Sequence, residues 1–273
     1  MKNKREIIIL GHKGMLGQMA VSHFTQQGYR VITIKNRFEP ETRLAFFEEL
    51  KQYPYAIVIN AIGKIKQKTE DTSPLLWSNA ILPLELSRSL LPTQTLIHAS
   101  TDCLFSGDTN QPYKKDANQD AIDDYGWSKQ LGEQVLLNRS NTLIARVSII
   151  GTDNAANPKG LLGWFLSQPG QAKLKGYSNH LWNGITTLEW CKQVEKLWQN
   201  INSKTPCKLV QLGTKEFYTK LELLKLFQVV FETSYIIEPF QAQKAIDRRL
   251  EPQLFCPKLI LQLKELKEIT KHA

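Results

Sequence analysis

The sequence predicts an α/β fold in which a doubly wound parallel sheet is followed by a smaller C-terminal lobe. Short, nearly continuous apolar runs alternate with longer helical patterns along the first half of the chain. Such runs are typical of strands that are covered on both faces, as in a parallel sheet. A glycine-rich turn follows the first run, and the alternation becomes irregular after residue 151. These observations indicate one large α/β unit with a smaller lobe after it.

The predicted strands of the sheet lie at 6–10, 30–34, 56–60, 95–100 and 141–149. Helical patterns occupy the gaps between them, at 15–27, 41–52, 74–90 and 125–138. Strands and helices alternate in this way in doubly wound folds. Beyond residue 151 we predict a helix at 187–200, a strand at 208–212 and a helix at 219–231. We therefore assign residues 1–155, with a return near 187–213, to the sheet domain, and residues 156–186 and 214–273 to the lobe.

Composition and charge exclude several classes of protein. The four cysteines are widely spaced and form no CxxC pair, so we expect neither a metal site nor a disulfide framework. The basic start of the chain precedes an apolar run too short for a signal peptide. No run reaches the roughly 18 apolar residues of a membrane helix. We therefore expect a cytoplasmic protein with no membrane partner.

The net charge of +9 favours anionic partners, which include phosphorylated small molecules and nucleic acid. The basic residues are scattered rather than clustered with aromatic residues, and the sequence holds no recognisable nucleic-acid-binding element. We therefore expect no nucleic-acid partner, and a solvated basic surface remains the alternative reading of the charge.

The stretch GHKGMLG (11–17) follows the first predicted strand and opens the first predicted helix. Gly11 permits a tight turn, Gly14 lets the backbone approach a pyrophosphate, and Gly17 lets the helix pack close to the sheet. The start of the helix then offers N–H groups and a partial positive charge to phosphates. The sequence therefore predicts a dinucleotide site at Gly11, Lys13, Gly14, Met15, Leu16 and Gly17.

The residues that follow the second predicted strand indicate which dinucleotide the site prefers, NAD or NADP. An NAD site usually has an acid about 20 residues after the glycine turn, where it holds the ribose 2′-OH. Here Lys35, Asn36 and Arg37 stand in that place, and Lys13 adds a further cation. These residues suit a 2′-phosphate, so NADP(H) is the predicted cofactor. The alternative is that Lys35 or Arg37 only faces solvent.

A tyrosine and a lysine lie one helical turn apart in YGWSK (125–129), after the helix-capping pair Asp123 and Asp124. A nearby ammonium favours the phenolate, so we expect Lys129 to lower the pKa of Tyr125 into a range useful for proton transfer. Thr101 follows a buried strand at the edge where open α/β sheets bind ligands. It is placed to hydrogen-bond a substrate carbonyl oxygen beside Tyr125.

With these residues together, the chain resembles the extended short-chain dehydrogenase/reductase superfamily, and within it the dTDP-4-dehydrorhamnose reductase group of sugar-nucleotide reductases. The resemblance covers nearly the whole chain. Its motifs are GHKGMLG (11–17), NAIG (60–63), SNA (78–80), STDCLFSG (100–107), YGWSK (125–129), ARVSIIG (145–151), GITTLEW (184–190) and DRRL (247–250).

The resemblance implies a Rossmann sheet and an NADPH-dependent reductase of a nucleotide-activated 4-keto-6-deoxy sugar, used for surface polysaccharide precursors. It implies that Tyr125 is the general acid, that Lys129 also holds the nicotinamide ribose, and that Thr101 orients the keto oxygen. It also implies that the end of the third predicted strand lines the cofactor, through Asn60, Ala61 and Gly63. Arg248 matches a family arginine in the lobe that binds the diphosphate of the nucleotide sugar. Whether the protein forms a homodimer is not determined by the resemblance.

Two segments depart from the family pattern. PYKKD (112–116) has a lysine where the family often has an acid, which bears on substrate choice. The segment 176–187 carries His180, Trp182 and Asn183 in place of the usual residues. We expect these three near the sugar or the base, with a packing role for Trp182 as the alternative.

Cys103 leaves the reaction type open. Related dehydratases carry a glutamate at this place, whereas related GDP-fucose synthases carry a cysteine that acts as an acid and base. A bifunctional epimerase/reductase that uses Cys103 is therefore a second hypothesis, and a small buried side chain is the simpler interpretation of Cys103. A catalytically silent NADP-binding regulatory subunit is a third, although the complete set of Thr101, Tyr125 and Lys129 argues against it.

The remaining histidines that we considered are His12, His23, His98 and His272. They have no partner that is visible in the sequence, so we interpret them as structural or solvated.

Overall fold

The structure is a computed structural model, and it describes residues 5–65, 71–152, 158 and 160–271. Its strands are β1 (Glu6–Leu10), β2 (Arg30–Thr33), β3 (Ile57–Asn60), β4 (Thr95–Thr101), β5 (Thr142–Val147), β6 (Ile149–Ile150), β7 (Lys173–Tyr177), β8 (His180–Trp182), β9 (Ile185–Thr186), β10 (Lys208–Thr214), β11 (Tyr218–Thr219), β12 (Ile236–Phe240), β13 (Ile246–Asp247) and β14 (Leu254–Cys256).

The helices are α1 (Met15–Gln26), α2 (Arg43–Lys51), α3 (Thr72–Leu76), α4 (Leu82–Ser89), α5 (Asp124–Gln134), α6 (Leu161–Leu166), α7 (Thr187–Trp198), α8 (Lys220–Phe231) and α9 (Leu259–Lys271). A π-helical segment, Trp77–Ile81, joins α3 to α4, and a 3₁₀ turn, Asp102–Leu104, follows β4. Within the described ranges, no helix has the length and apolar character needed to cross a membrane.

The main sheet has seven strands among the described residues, in the order β14-β10-β5-β4-β3-β1-β2, and every neighbouring pair is parallel. Successive side chains of a strand point to opposite faces. Thus Ile7 and Ile9 pack in the same core cluster as side chains of α1, α7 and α9, whereas Ile8 and Leu10 pack in the cluster that includes side chains of α2 and α4. Helices therefore cover both faces, and the predicted doubly wound α/β fold is confirmed.

The single helix predicted at 74–90 is divided in three. Pro83 has no N–H to donate to the carbonyl of Asn79, four residues earlier, and the π-helical segment contains that carbonyl. Helix α5 lies against the same point, because a Cβ added to Gly132 would lie 1.9 Å from the Asn79 carbonyl oxygen. The interruption therefore brings Asn79 into close contact with the helix that carries Tyr125.

The described residues that follow β6 also form two small sheets, β11-β8-β13 and β12-β7. Strand β10 pairs with β5 of the main sheet, and side chains of helix α7 pack in its core. Strand β14 pairs with β10, and Leu259 and Leu263 of α9 join the core of the main sheet. The sequence did not indicate these last two elements, which lie in the range 214–273 that we assigned to the lobe.

Candidate active site

The glycine turn after β1 is shaped by two close approaches. Gly11 has φ +80°, and a Cβ there would lie 2.9 Å from the backbone nitrogen of Ile62. A Cβ on Gly17 would lie 2.0 Å from the carbonyl oxygen of Gly11. Both glycines are therefore required by the packing of α1 and β3 against the turn.

Gly14 is different, because the protein itself does not require it to be glycine. A Cβ there would meet only the Gly11 carbonyl oxygen, at the ordinary distance of 3.4 Å. Gly14 is the N-cap of α1, and no side chain caps this helix. Lys13 is exposed beside it, and Met15 and Leu16 form the first turn. The start of α1 is thus open to a ligand, as a phosphate-binding turn must be.

The basic residues that follow β2, which we predicted to bind a 2′-phosphate, lie next to the glycine turn. Thr33 pairs with Ile9, so residues 35–37 extend beside the glycine turn. Lys35 and Arg37 are exposed. Glu49 of α2 accepts hydrogen bonds from the backbone N–H of Lys35 at 3.0 Å and from the side-chain amide of Asn36 at 3.0 Å. The structure therefore adds a carboxylate that strand order alone did not reveal at this strand end.

Polar groups also meet at the end of β3. Asn60 is fully buried, and its Oδ1 accepts a hydrogen bond from the backbone N–H of Ile62 at 3.2 Å. Its Nδ2 lies 3.1 Å from Nδ1 of His98, the residue that pairs with Asn60 across β3 and β4. Ala61 is half-buried, and a Cβ on Gly63 would approach only the Asn79 side chain, at 3.6 Å.

The structure brings Thr101, Tyr125 and Lys129 together. Thr101 is the last residue of β4. Helix α5 begins after Asp123, whose side chain caps it by accepting the N–H of Gly126 at 2.8 Å. Thr101 lies beside Tyr125 and lowers the pKa of that residue, while its hydroxyl donates to Asp102 Oδ1 at 3.2 Å. Lys129 is buried one turn along α5, and its Nζ donates to the carbonyl oxygen of Ala99 at 2.8 Å.

The expected lowering of the Tyr125 pKa is not found in this structure. Burial raises the pKa of Tyr125 above its usual value, and the charges of Cys103 and Asp102 raise it further, while the adjacent Thr101 lowers it. The Lys129 side chain is directed at Ala99 and His98. Tyr125 is therefore a protonated phenol at neutral pH, a form that donates a proton rather than accepting one.

Burial lowers the pKa of Lys129 to about 8, while the charges of Glu133 and Cys103 oppose that change. The lysine therefore loses its charge close to physiological pH.

His98, which we interpreted as having no partner, lies with its Nε2 3.4 Å from the Lys129 Nζ. His23 also has a partner, since its Nε2 lies 3.0 Å from Glu195. His272 lies outside the described residues.

On the lobe side of Thr101, Arg248 reaches across to Cys103. Its Nη1 donates to the Cys103 sulfur at 3.4 Å, and its Nε is buried without a hydrogen-bond partner among the described residues. Burial raises the pKa of Cys103 to about 12, with Asp102 adding to the increase and Arg248 opposing it. The thiol is therefore not ionised at neutral pH.

Lys220 is a residue that the sequence did not identify. Its Nζ lies 5.7 Å from the centre of the Trp182 ring, and burial lowers its pKa. The charge of Arg248 lowers that pKa further, while Asp102 and Cys103 raise it. Lys220 also opens α8, although a cation at a helix N-terminus is electrostatically unfavourable. That misplaced charge was the one available sequence signal.

His180 lies near the same cations. Its Nε2 is buried and has no hydrogen-bond partner among the described residues, and its ring stacks on Tyr177 with centroids 4.5 Å apart. Burial lowers the pKa of His180, and the charges of Lys220 and Arg248 contribute to that decrease. The cations Lys220 and Arg248 and two buried nitrogen atoms without partners among the described residues therefore lie in one region near Cys103, where an anion would balance the cations.

Trp182 and Asn183 occupy packing positions. Trp182 is buried in the main core, and its Nε1 donates to Ser148 Oγ at 2.8 Å. Asn183 is bonded twice to Leu250, through its Nδ2 to the carbonyl oxygen at 2.8 Å and through its Oδ1 to the N–H at 3.1 Å. The packing alternative for Trp182 thus agrees with its position. Among the described residues, no group of three or more His, Cys, Asp or Glu side chains is arranged to hold a metal ion.

Comparisons with known proteins identify the family of the chain. The model of the NAD dependent epimerase/dehydratase family matches residues 7–154. The spore coat polysaccharide biosynthesis protein SpsK of Bacillus subtilis (strain 168) is 28% identical over 158 residues, which are 56% of this chain and 56% of that protein. A Streptomyces antibioticus protein named "Probable dTDP-4,6-dihydroxy-2-methyloxan-3-one 4-ketoreductase" is 30% identical over 135 residues, which are 48% of this chain and 46% of that protein. The chain matches about half the length of these curated relatives.

The fold is also that of a solved enzyme. The crystal structure of dTDP-4-dehydrorhamnose reductase from Bacillus anthracis str. Ames, in complex with NADP, superposes with a TM-score of 0.82. The two proteins are 16% identical, and the match covers 97% of this chain and 99% of that one.

Proposed function

Because this chain belongs to the NAD dependent epimerase/dehydratase family, we propose that it is an NADPH-dependent reductase of a nucleotide-activated 4-keto-6-deoxy sugar, acting in the synthesis of surface polysaccharide precursors. The observation that carries the proposal is that Thr101 at the end of β4 lies beside Tyr125, with the buried Lys129 one turn further along α5. The names of the two curated relatives, a polysaccharide biosynthesis protein and a ketoreductase, support it.

The residues present fit a nicotinamide dinucleotide. The uncapped start of α1 and the space above Gly14 suit a pyrophosphate, and the Bacillus anthracis neighbour binds NADP. Lys13, Lys35 and Arg37 are exposed beside this turn and would hold a 2′-phosphate. Asn60, Ala61 and Gly63 would line the middle of the cofactor. When bound, the reduced nicotinamide supplies the hydride of the reaction.

The protein's own residues supply the proton and hold the substrate oxygen. Thr101 donates a hydrogen bond to the keto oxygen and fixes its distance from Tyr125. Tyr125 gives its phenolic proton to the same oxygen as negative charge develops there. The phenol enters the reaction protonated, and because burial raises the pKa of Tyr125, release of its proton requires a positive charge near the phenolate. The buried Lys129 would hold the nicotinamide ribose, and its charge would stabilise the phenolate that remains.

The lobe would hold the nucleotide diphosphate. The buried Arg248 Nε and His180 Nε2 have no hydrogen-bond partner among the described residues, and burial and the charge of Arg248 lower the pKa of Lys220. A diphosphate would neutralise the two cations and accept hydrogen bonds from their N–H groups. The sugar would then lie between this cluster and Tyr125, with its keto group on Thr101.

The alternative of an epimerase/reductase requires Cys103 to remove a proton from carbon. A pKa of about 12 keeps the thiol protonated at neutral pH, which favours the simple reductase. Incubation with a keto sugar in D₂O without NADPH separates the two. A reductase is expected to incorporate no deuterium at the neighbouring carbons, and incorporation that is lost in Cys103→Ser would favour the epimerase/reductase.

The proposal is tested by supplying a panel of nucleotide 4-keto-6-deoxy sugars together with NADPH. We expect the absorbance of the reduced nicotinamide to fall with at least one of them, and NMR of the product to show a new hydroxyl at C4. Tight NADPH binding without turnover of any sugar in the panel would instead favour the silent regulatory subunit.

A further inference from the structure

Three buried side chains form a continuous chain of contacts behind the candidate active site. Asn60, His98 and Lys129 are 0%, 1% and 4% exposed. The Asn60 Nδ2 lies 3.1 Å from His98 Nδ1, and the His98 Nε2 lies 3.4 Å from Lys129 Nζ. The far end is anchored, because Asn60 Oδ1 accepts the backbone N–H of Ile62 at 3.2 Å.

The anchor determines where the proton of His98 lies. With Oδ1 of Asn60 engaged by Ile62, the amide nitrogen faces His98, and an amide nitrogen only donates. The Nδ1 of His98 must therefore accept. Burial holds the pKa of His98 well below its usual range, so the ring is neutral and its single proton is on Nε2. That N–H points at the Lys129 nitrogen.

This arrangement discriminates between the two forms of Lys129. An ammonium has no lone pair, so the His98 N–H and the Lys129 ammonium would be two donors facing each other. Turning the Asn60 amide over would let His98 accept from Lys129, but it would place the amide NH₂ against the N–H of Ile62. One contact is therefore mismatched in either orientation when Lys129 is charged, and none is mismatched when Lys129 is a neutral amine.

The other groups that face Lys129 favour its charged form or neither form. Glu133 on the same helix favours the ammonium, and Cys103 after β4, which would do so as a thiolate, is protonated at neutral pH. The Ala99 carbonyl oxygen of β4 accepts from either form of the lysine. Tyr125, one turn earlier on α5, is neutral. Among the described neighbours of Lys129, His98 is thus the side chain whose hydrogen-bond polarity favours the uncharged amine.

We propose that His98 is a positioning residue that sets the protonation of Lys129 through its own tautomer, which is held in turn by Asn60 and Ile62. The inference concerns the active site of the proposed function, but the property it assigns belongs to the protein without cofactor or substrate. It can therefore be tested without either.

The test compares stability with and without Lys129 as pH is varied. Folding lowers the pKa of Lys129 from 10.5 to about 8, so the unfolded chain binds more protons between those values. The free energy of unfolding of the wild type, relative to that of Lys129→Met, should therefore rise as pH increases from about 8 towards 10.5. Below a pH of about 8 it should not change with pH. Urea denaturation across this range measures the start of the rise.

The same comparison is made in the His98→Gln background. A glutamine can turn its carbonyl towards Lys129, so the mismatch disappears and the rise should begin at higher pH. We expect a displacement of about one pH unit, a tenfold change in the acid dissociation constant of Lys129. The matched control is His23→Gln, which replaces another buried histidine, bonded to Glu195, and should leave the start of the rise unchanged.

If His98→Gln does not fold, Asn60→Leu provides a second route, since it removes the amide that forces Nδ1 to accept and frees the other tautomer. It should move the rise in the same direction. A rise that begins at the wild-type pH in a folded His98 or Asn60 variant would overturn the inference. Loss of turnover in such a variant with no displacement would also count against it, because a purely structural role predicts that result.

Discussion

At the scale of single residues, Tyr125 carries the proposed proton transfer. We expect Tyr125→Phe to lower turnover by about 10²–10⁴-fold, the usual contribution of a general acid, because the ring keeps its packing and only the proton is lost. NADPH binding should be unchanged. Tyr29→Phe is the matched control, since its hydroxyl bonds Glu195 away from the site. A loss smaller than about tenfold would indicate another acid.

The choice of cofactor depends on opposing charges after β2. Lys13, Lys35 and Arg37 favour a 2′-phosphate, whereas Glu49 brings a carboxylate to the same strand end. We expect NADPH to bind more tightly than NADH, Arg37→Asp to reduce the difference, and Glu49→Gln to increase it. Fluorescence titration with both cofactors measures this. Equal affinities in the wild type would show that other residues decide.

Lys220 should act on the substrate and not on the cofactor. Replacing it with methionine keeps the packing on Trp182 but removes the charge beside Arg248. A hydrogen bond between charged groups contributes about 1.5–3 kcal/mol, so we expect binding of a nucleoside diphosphate to weaken by roughly tenfold or more. Calorimetry with dTDP and UDP provides the measurement. Lys225→Met, exposed on the same helix, should leave affinity unchanged.

At the scale of elements, the glycine turn separates stability from binding. A Cβ on Gly17 would overlap the Gly11 carbonyl, so Gly17→Ala should displace α1 and lower both the melting temperature and NADPH affinity. Gly14→Ala meets no close protein atom and should leave the melting temperature within a few degrees of the wild type, while NADPH affinity falls. Equal effects of the two variants on stability would contradict this division of roles.

At the scale of the whole molecule, a buried ion pair joins α5 to the sheet. Glu133 and Arg146 are 0% and 1% exposed and lie 2.5 Å apart, and Arg146 also bonds Gln211 of β10. Removing one partner leaves a buried charge, so Glu133→Ala should cost about 3–5 kcal/mol of unfolding free energy. Glu48→Ala, which removes an exposed pair with Lys51, should cost less than about 1 kcal/mol. Urea denaturation distinguishes them, and similar losses would refute the argument.

The features that depend on neighbours in the chain could be predicted from the amino-acid sequence. Strand runs and the glycine turn follow from local periodicity and sterics, and the predicted alternation of strands and helices is found along the first half of the chain. The folded structure was needed to establish the contacts between distant segments. They include Lys220 and Arg248 near Cys103, Glu49 at the end of β2, and His98 against Lys129. It also depends on the fold whether a group is buried. The fold therefore set the direction in which the pKa of Tyr125 changes, because burial depends on everything packed around the group and not on its spacing from a lysine.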